Sequence, residues 1–179
     1  MEWRHLIAEM WGSFMIVFAY TTTGGDPAAT AAALMVAHSG TGLISGCHFN
    51  PAVTLAYFIT GAVGKTLDKA TTIKFILYML MHFLGGLCGA ATAWGCTDKT
   101  VVLVVGDESS TFQAFLAEGL FTMILVSMIL TMNEIPHSHL LGIMVPVLLT
   151  YVGLFSLAPI SGGAMSPSLA ISALGVDAI

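Results

Sequence analysis

Ser45-Gly46-Cys47-His48-Phe49-Asn50-Pro51-Ala52 and Ser161-Gly162-Gly163-Ala164-Met165-Ser166-Pro167-Ser168 are the stretches on which the fold of this chain turns. They lie 116 residues apart and share one pattern: Ser-Gly, three residues, Asn or Ser, then Pro. Asn and Ser are strong helix N-caps, and proline is favoured at the first helical position. Each pair, Asn50-Pro51 and Ser166-Pro167, therefore predicts a helix with an abrupt start. The apolar stretches that follow run from Pro51 to about Thr60, ended by Gly61, and from Pro167 to about Leu174, ended by Gly175. As helices they reach roughly 15 Å, half a bilayer. Short segments of this kind at membrane depth are re-entrant; the plainer alternative is an amphipathic surface helix.

Outward from these stretches lie five apolar runs long enough to cross a bilayer, at about 5–23, 28–45, 72–94, 112–132 and 140–158. Turn chemistry separates them, as in Thr23-Gly24-Gly25-Asp26-Pro27 and Asn133-Glu134-Ile135-Pro136. A second echo joins the halves: Ala8-Glu9 in the first run returns as Ala117-Glu118 in the fourth. Three spans separate the two starts, so the halves insert with opposite orientation. An inverted repeat with one discontinuous helix per half points to a pathway at the bilayer midplane. The expected organisation is one all-α polytopic membrane domain over 1–179, with a first repeat at 1–94 and a second, truncated repeat at 112–179.

Composition agrees with a bilayer. Of 179 residues, 56% are apolar and 8% charged, against about 25% charged in a soluble domain; the mean hydropathy is +0.90. These values exclude a disordered chain, a basic nucleic-acid binder and a disulfide scaffold, and they speak against a soluble enzyme. The three cysteines, Cys47, Cys88 and Cys96, are an odd number in apolar surroundings. The first run carries Glu9 and no small-x-small cleavage site, and reads as a span, not a removable leader. With the N-terminus on the cytoplasmic side, Arg4, Lys65, Lys69 and Lys74 are cytoplasmic and Lys99 alone is outside, which sets the expected orientation.

If both half-helices dip in from opposite faces, their N-termini meet near the bilayer centre. Each brings unpaired N–H groups and about half a positive charge. Two such ends repel cations, hydronium included, yet offer donors to a neutral polar solute.

Ser45-Gly46-Cys47-His48-Phe49-Asn50-Pro51-Ala52-Val53-Thr54 resembles the first signature loop of the aquaporin and aquaglyceroporin family, the major intrinsic proteins, whose motif is close to SGAHxNPAVT. The resemblance extends from the first span to the second half-helix. It implies a right-handed bundle of six spans and two half-helices, usually a homotetramer with one pore per protomer. It implies a pore signature at Asn50, Pro51 and Ala52 with Ser166, Pro167 and Ser168, and loop-anchoring roles for Glu9, Glu118 and His48. It also implies a passive channel for water or small neutral solutes in the lipid bilayer, with no cofactor, no catalytic residue and no nucleic-acid partner.

Three departures stand out. Ser166-Pro167-Ser168 replaces Asn-Pro-Ala. Leu169 stands where the family usually has an arginine, and Arg4, the sole arginine, cannot substitute. Only a few residues follow the second half-helix, so the sixth span is absent from this chain, which is either a fragment or a form without that span. Counted without gaps from the signatures, the four positions of the family's constriction fall on Thr30, Leu154, Gly163 and Leu169. The set has no aromatic ring, no histidine and no charge, which predicts an apolar filter and makes glycerol or urea plausible solutes.

Other residues carry alternatives. Asn50 and Ser166 are solute-facing donors or mere helix caps. His48 is a packed loop histidine or a gate. Glu9 and Glu118 anchor loops or relay protons. Cys47, three residues before Asn50, faces the path or a neighbouring helix. Gly85-x-x-x-Gly89 suggests close helix approach, and the apolar run Val101 to Val105 has no assigned place. No His/Cys spacing supplies a metal site. Two rival functions remain: an aquaporin-like structural subunit of a larger membrane complex, which the eroded second signature favours, and a secondary transporter, for which only Glu9 and Glu118 offer a coupling site. An intramembrane serine protease lacks its loop context.

Overall fold

A computed structural model describes residues 2–98, 100–136 and 138–176, residues 174–176 by their backbone alone. Lys99, the one base expected outside, and the chain's last three residues lie outside the described set. Among the described residues seven helices follow in order: α1 (Trp3–Thr22), α2 (Pro27–Ser45), α3 (Pro51–Val63), α4 (Lys69–Thr97), α5 (Thr111–Glu134), α6 (His139–Ser161) and α7 (Pro167–Val176). Among the described residues, α2, α4, α5 and α6 are long and apolar enough to cross a membrane. α1 has 20 residues, about 30 Å, and holds Glu9 in its interior. α3 and α7, with 13 and 10 residues, are too short to cross.

Local chemistry sets the helix starts. The side chains of Asp26, Asn50, Asp68 and Ser138 accept hydrogen bonds from the backbone N–H of Ala29, Ala52, Thr71 and Leu141. Ser110 and Gln113 form a reciprocal capping box. α2 and α6 both stop at a left-handed glycine, Gly46 (φ 90°) and Gly162 (φ 83°). α3 runs through Gly61 to Val63, past the expected stop. Gly61 serves packing there: a Cβ on it would lie 2.8 Å from Leu67 Cδ2, and the chain turns instead at Gly64 and Lys65 (φ 54°).

Packing is densest between α1 and α4. A Cβ on Gly85 would lie 2.2 Å from Met10 O, and one on Gly89 2.6 Å from Phe14 O. The two backbones touch along this stripe because no side chain holds them apart, as the Gly-x-x-x-Gly spacing suggests. One apolar core joins α1, α5, α6 and α7 through Tyr20, Leu125, Leu154, Leu157 and Leu169. A second joins α2, α6 and the first signature loop through Leu34, Phe49, Ile143 and Val147. The outer surface is apolar as well, with Phe112, Phe115, Leu116, Leu148 and Phe155 exposed, the arrangement a lipid solvent permits. The run from Val101 to Val105 is neither helix nor strand. It folds back on the bundle: Gly106 N–H donates to Ile160 O (3.0 Å), and Val101 and Leu103 pack on the core.

Candidate conduction site

The site is built where two loops and two short helices meet. Residues 46–49 and 162–165 have matching backbones. Positive φ occurs at Gly46 and Gly162, at Cys47 (53°) and Gly163 (74°), and at Phe49 (47°) and Met165 (51°). For a residue with a side chain the left-handed region costs about 1–2 kcal/mol, so these loops need support from outside themselves.

A carboxylate supplies it in each case. Glu9, fully buried in α1, accepts from the backbone N–H of His48 (3.1 Å) and Phe49 (2.8 Å). Glu118 in α5 accepts from the N–H of Ala164 (2.9 Å) and Met165 (2.8 Å). Each pair is the unpaired donor set just upstream of a half-helix. The serine of each Ser-Gly pair adds a further acceptor, Ser45 Oγ for Cys47 N–H (3.2 Å) and Ser161 Oγ for Gly163 N–H (3.3 Å).

Sequence reading missed the partners that complete these anchors. His82 of α4, also fully buried, lies with Nε2 2.7 Å from Glu9 Oε2. Among the described residues its Nδ1 has no hydrogen-bond partner. Ser13 donates to Phe49 O (3.2 Å), Tyr78 to Ser45 O (2.9 Å) and Tyr20 to Gly162 O (2.8 Å). α1 thus holds both loops. His48 is hydrogen-bonded and stacked, its Nδ1 2.8 Å from Thr54 Oγ1 and its ring on Tyr57 at 4.6 Å, and it also borders the central cavity.

The half-helix starts meet through Asn50. Its Oδ1 caps α3 at Ala52 N–H (2.9 Å), and its Nδ2 donates to Met165 O (2.8 Å). An amide nitrogen has two hydrogens, so one N–H remains. Ser166 behaves differently, its Oγ lying 2.9 Å from Ser168 Oγ.

Asn50 and Ser166 border a central cavity of about 50 Å³, room for a few waters at roughly 10–15 Å³ each. Thr30, Leu154 and Leu169 border it too, all buried. The structure brings these three to one space, with Thr30 Oγ1 donating to Asp26 O (2.8 Å). Gly163 stands behind them: a Cβ there would lie 3.2 Å from Leu154 O. A vestibule of about 200 Å³, bordered by Tyr57, Asn133 and His139, shares His38, Cys47, Ile129 and Pro146 with the central cavity. A third space, an open lateral groove of about 550 Å³ between α3, α5 and α7, shares Ala164 and Ser166 with it.

Comparison with known proteins gives the family. Residues 1–176 match the model of the family described as Major intrinsic protein. The chain is 30% identical to Glycerol uptake facilitator protein-like 6 of Lactiplantibacillus plantarum, over 94% of this chain and 82% of that protein. It is 27% identical to the Glycerol uptake facilitator protein of Escherichia coli K12, over 93% of this chain and 59% of that protein. Aquaporin A of Dictyostelium discoideum is 34% identical over 68% of this chain and 44% of its own length. The chain thus spans less than two thirds of the latter two relatives. In fold it is similar to the aquaglyceroporin from Plasmodium falciparum, with a TM-score of 0.76 at 20% identity, covering 97% of this chain and 80% of that one. On the family match and the shared fold together, the chain belongs to the major intrinsic protein family of membrane channels.

Proposed function

We propose that this chain forms a passive channel for water and small neutral solutes of the glycerol kind, through the central cavity where α3 and α7 begin. The observation that carries the reading is the Asn50 amide. One N–H is held by Met165 O, and the other is left for a solute at the point where two helix N-termini concentrate donors and partial positive charge. Such a site repels cations and hydronium and accepts a neutral acceptor-bearing molecule.

In this reading Asn50, Pro51 and Ala52 with Ser166, Pro167 and Ser168 form the midplane signature. Thr30, Leu154 and Leu169, with Gly163 behind Leu154, form an apolar constriction. Stripping water of its partners at an apolar ring is costly, whereas a polyol presents carbon to the ring. Two relatives named for glycerol uptake support the same solute class. A cytoplasmic N-terminus, repeats over 1–94 and 112–179, and a homotetramer belong to this proposal.

Stopped-flow light scattering on proteoliposomes tests it. Glycerol permeability well above that of empty vesicles is the expected result, and exclusion of both glycerol and water overturns it. Cys47 borders both the vestibule and the central cavity, so a mercurial is expected to block flux in the wild type and not in Cys47→Ser.

The second reading, a non-conducting structural subunit of a larger membrane assembly, is supported by the lateral groove. Its opening at Ser166 leaves the midplane joint reachable from the side of the bundle. A purified chain that excludes solutes and appears as one copy in a hetero-complex by native mass spectrometry favours that reading.

A further inference from the structure

The vestibule and the central cavity join at four residues: His38, Cys47, Ile129 and Pro146. Ile129 and Pro146 carry no polar side-chain atom. The Cys47 thiol is engaged within the protein, 3.5 Å from Thr41 Oγ1 and donating to His38 O at 3.8 Å. His38 alone remains. The residue is 9% exposed, and its ring is fixed on two sides. Nδ1 lies 3.1 Å from Leu34 O, and Phe49 meets the ring edge-on, with centroids 5.2 Å apart at 88°.

The Leu34 bond decides the proton's position. A carbonyl oxygen only accepts, so Nδ1 carries the hydrogen, and in the neutral imidazole Nε2 is left as a lone pair. Among the described residues Nε2 has no hydrogen-bond partner. His38 borders both cavities, whereas the unpartnered His82 Nδ1 is sealed in the protein. A polar nitrogen kept beside a narrow apolar junction, with its tautomer locked, is a hydrogen-bond acceptor waiting for a donor.

We propose that His38 is a specificity-determining residue, its Nε2 forming an acceptor station for hydroxyl- or amide-bearing neutral solutes between the vestibule and the Asn50 donor. The inference rests on the channel reading above and adds to it the class of solute favoured. Asn50 and the helix N-termini offer donors and His38 offers an acceptor. A molecule with both functions, such as a polyol or urea, is matched at both places. A solute that only accepts is matched at the midplane alone.

His38→Leu and His38→Gln both remove the ring, and only Gln keeps a side-chain acceptor. In proteoliposomes, His38→Leu is expected to lower glycerol permeability about fivefold, the scale of one hydrogen bond. His38→Gln is expected to recover most of that loss. Equal permeability in His38→Leu and wild type, or an equal loss in both variants, overturns the inference. A second measurement separates this outcome from failure of the channel reading. Imidazole ¹⁵N NMR in lipid nanodiscs, assigned by the signal lost in His38→Leu, reads the tautomer directly. The expected result is a protonated Nδ1 and a bare Nε2 whose resonance moves when glycerol is added. A wild type without flux but with this response overturns the channel and leaves the acceptor site standing. A protonated Nε2, or no response to glycerol, overturns the acceptor site whatever the flux.

Discussion

The two signature loops have the same backbone and the same carboxylate anchor but different surroundings. Glu9 and Glu118 each take two consecutive N–H groups at the entrance to a half-helix. Glu9 is sealed beneath α4, which lies on α1 along Gly85 and Gly89 and delivers His82 to its second oxygen. Glu118 is only partly buried; its remaining bond comes from Ser161 of α6, at 2.6 Å. Beside it, a Cβ on Gly119 would meet nothing within 4 Å. Local geometry is therefore set by the loop and its carboxylate, whereas the weight of each anchor is set by what covers it.

The largest difference is expected at the anchors. Glu9→Leu strips two loop N–H groups and His82 of their partner in a dry site, at about 3–5 kcal/mol. Glu118→Leu strips two loop N–H groups and Ser161 of their partner but orphans no buried histidine, and is expected to cost less, about 1–3 kcal/mol. Thermal unfolding of the two variants in one detergent checks the ranking, and equal losses would break the comparison.

Glycines come next. Gly89→Ala drives a methyl group against Phe14 O and is expected to cost about 1–3 kcal/mol through displacement of α1 from α4. Gly119→Ala meets open space and replaces a helix-interior glycine, so a gain of about 1 kcal/mol is expected. The same unfolding assay reads both, and a loss at Gly119 would mean that the groove beside α5 is occupied.

The caps give the smallest contrast. Asn50→Ala loses the α3 cap and the link to Met165, about 1–2 kcal/mol, together with most glycerol flux. Ser166→Ala removes an oxygen that sits on Ser168 Oγ, and a change below about 1 kcal/mol is expected. Ser166→Asn sharpens the point: if the second half-helix can use an amide as the first does, its permeability rises above wild type.

Much of this was readable residue by residue. The starts of α2 and α3 follow from Asp26-Pro27 and Asn50-Pro51, because capping needs only neighbours along the chain. The close approach of α1 and α4 follows from Gly85 and Gly89, because absent side chains leave a stripe. The end of α3 was not readable: Gly61 looked like a terminator, and its contact with Leu67 depends on the turn that follows. Nor were His82, Tyr20 and His38 readable as parts of the site. A lone histidine in an apolar run carries no local sign of what it will face. Of the four positions from the gapless count, Thr30, Leu154 and Leu169 border the central cavity and Gly163 packs against the Leu154 backbone; spacing does not report which way a loop backbone faces.

The order of residues along the chain dictates the pieces: apolar helices of bilayer length, two shorter ones begun at Asn50-Pro51 and Ser166-Pro167, and loops kinked by glycine. These depend on solvent transfer and on bonds between near neighbours. How those pieces meet follows from packing alone. Asn50 finds Met165, His82 finds Glu9, and His38 keeps one nitrogen free, across separations that no periodicity encodes. The first two contacts exist because a buried polar group is stabilised by a partner that packing brings within reach; the free His38 nitrogen is left where packing brings none.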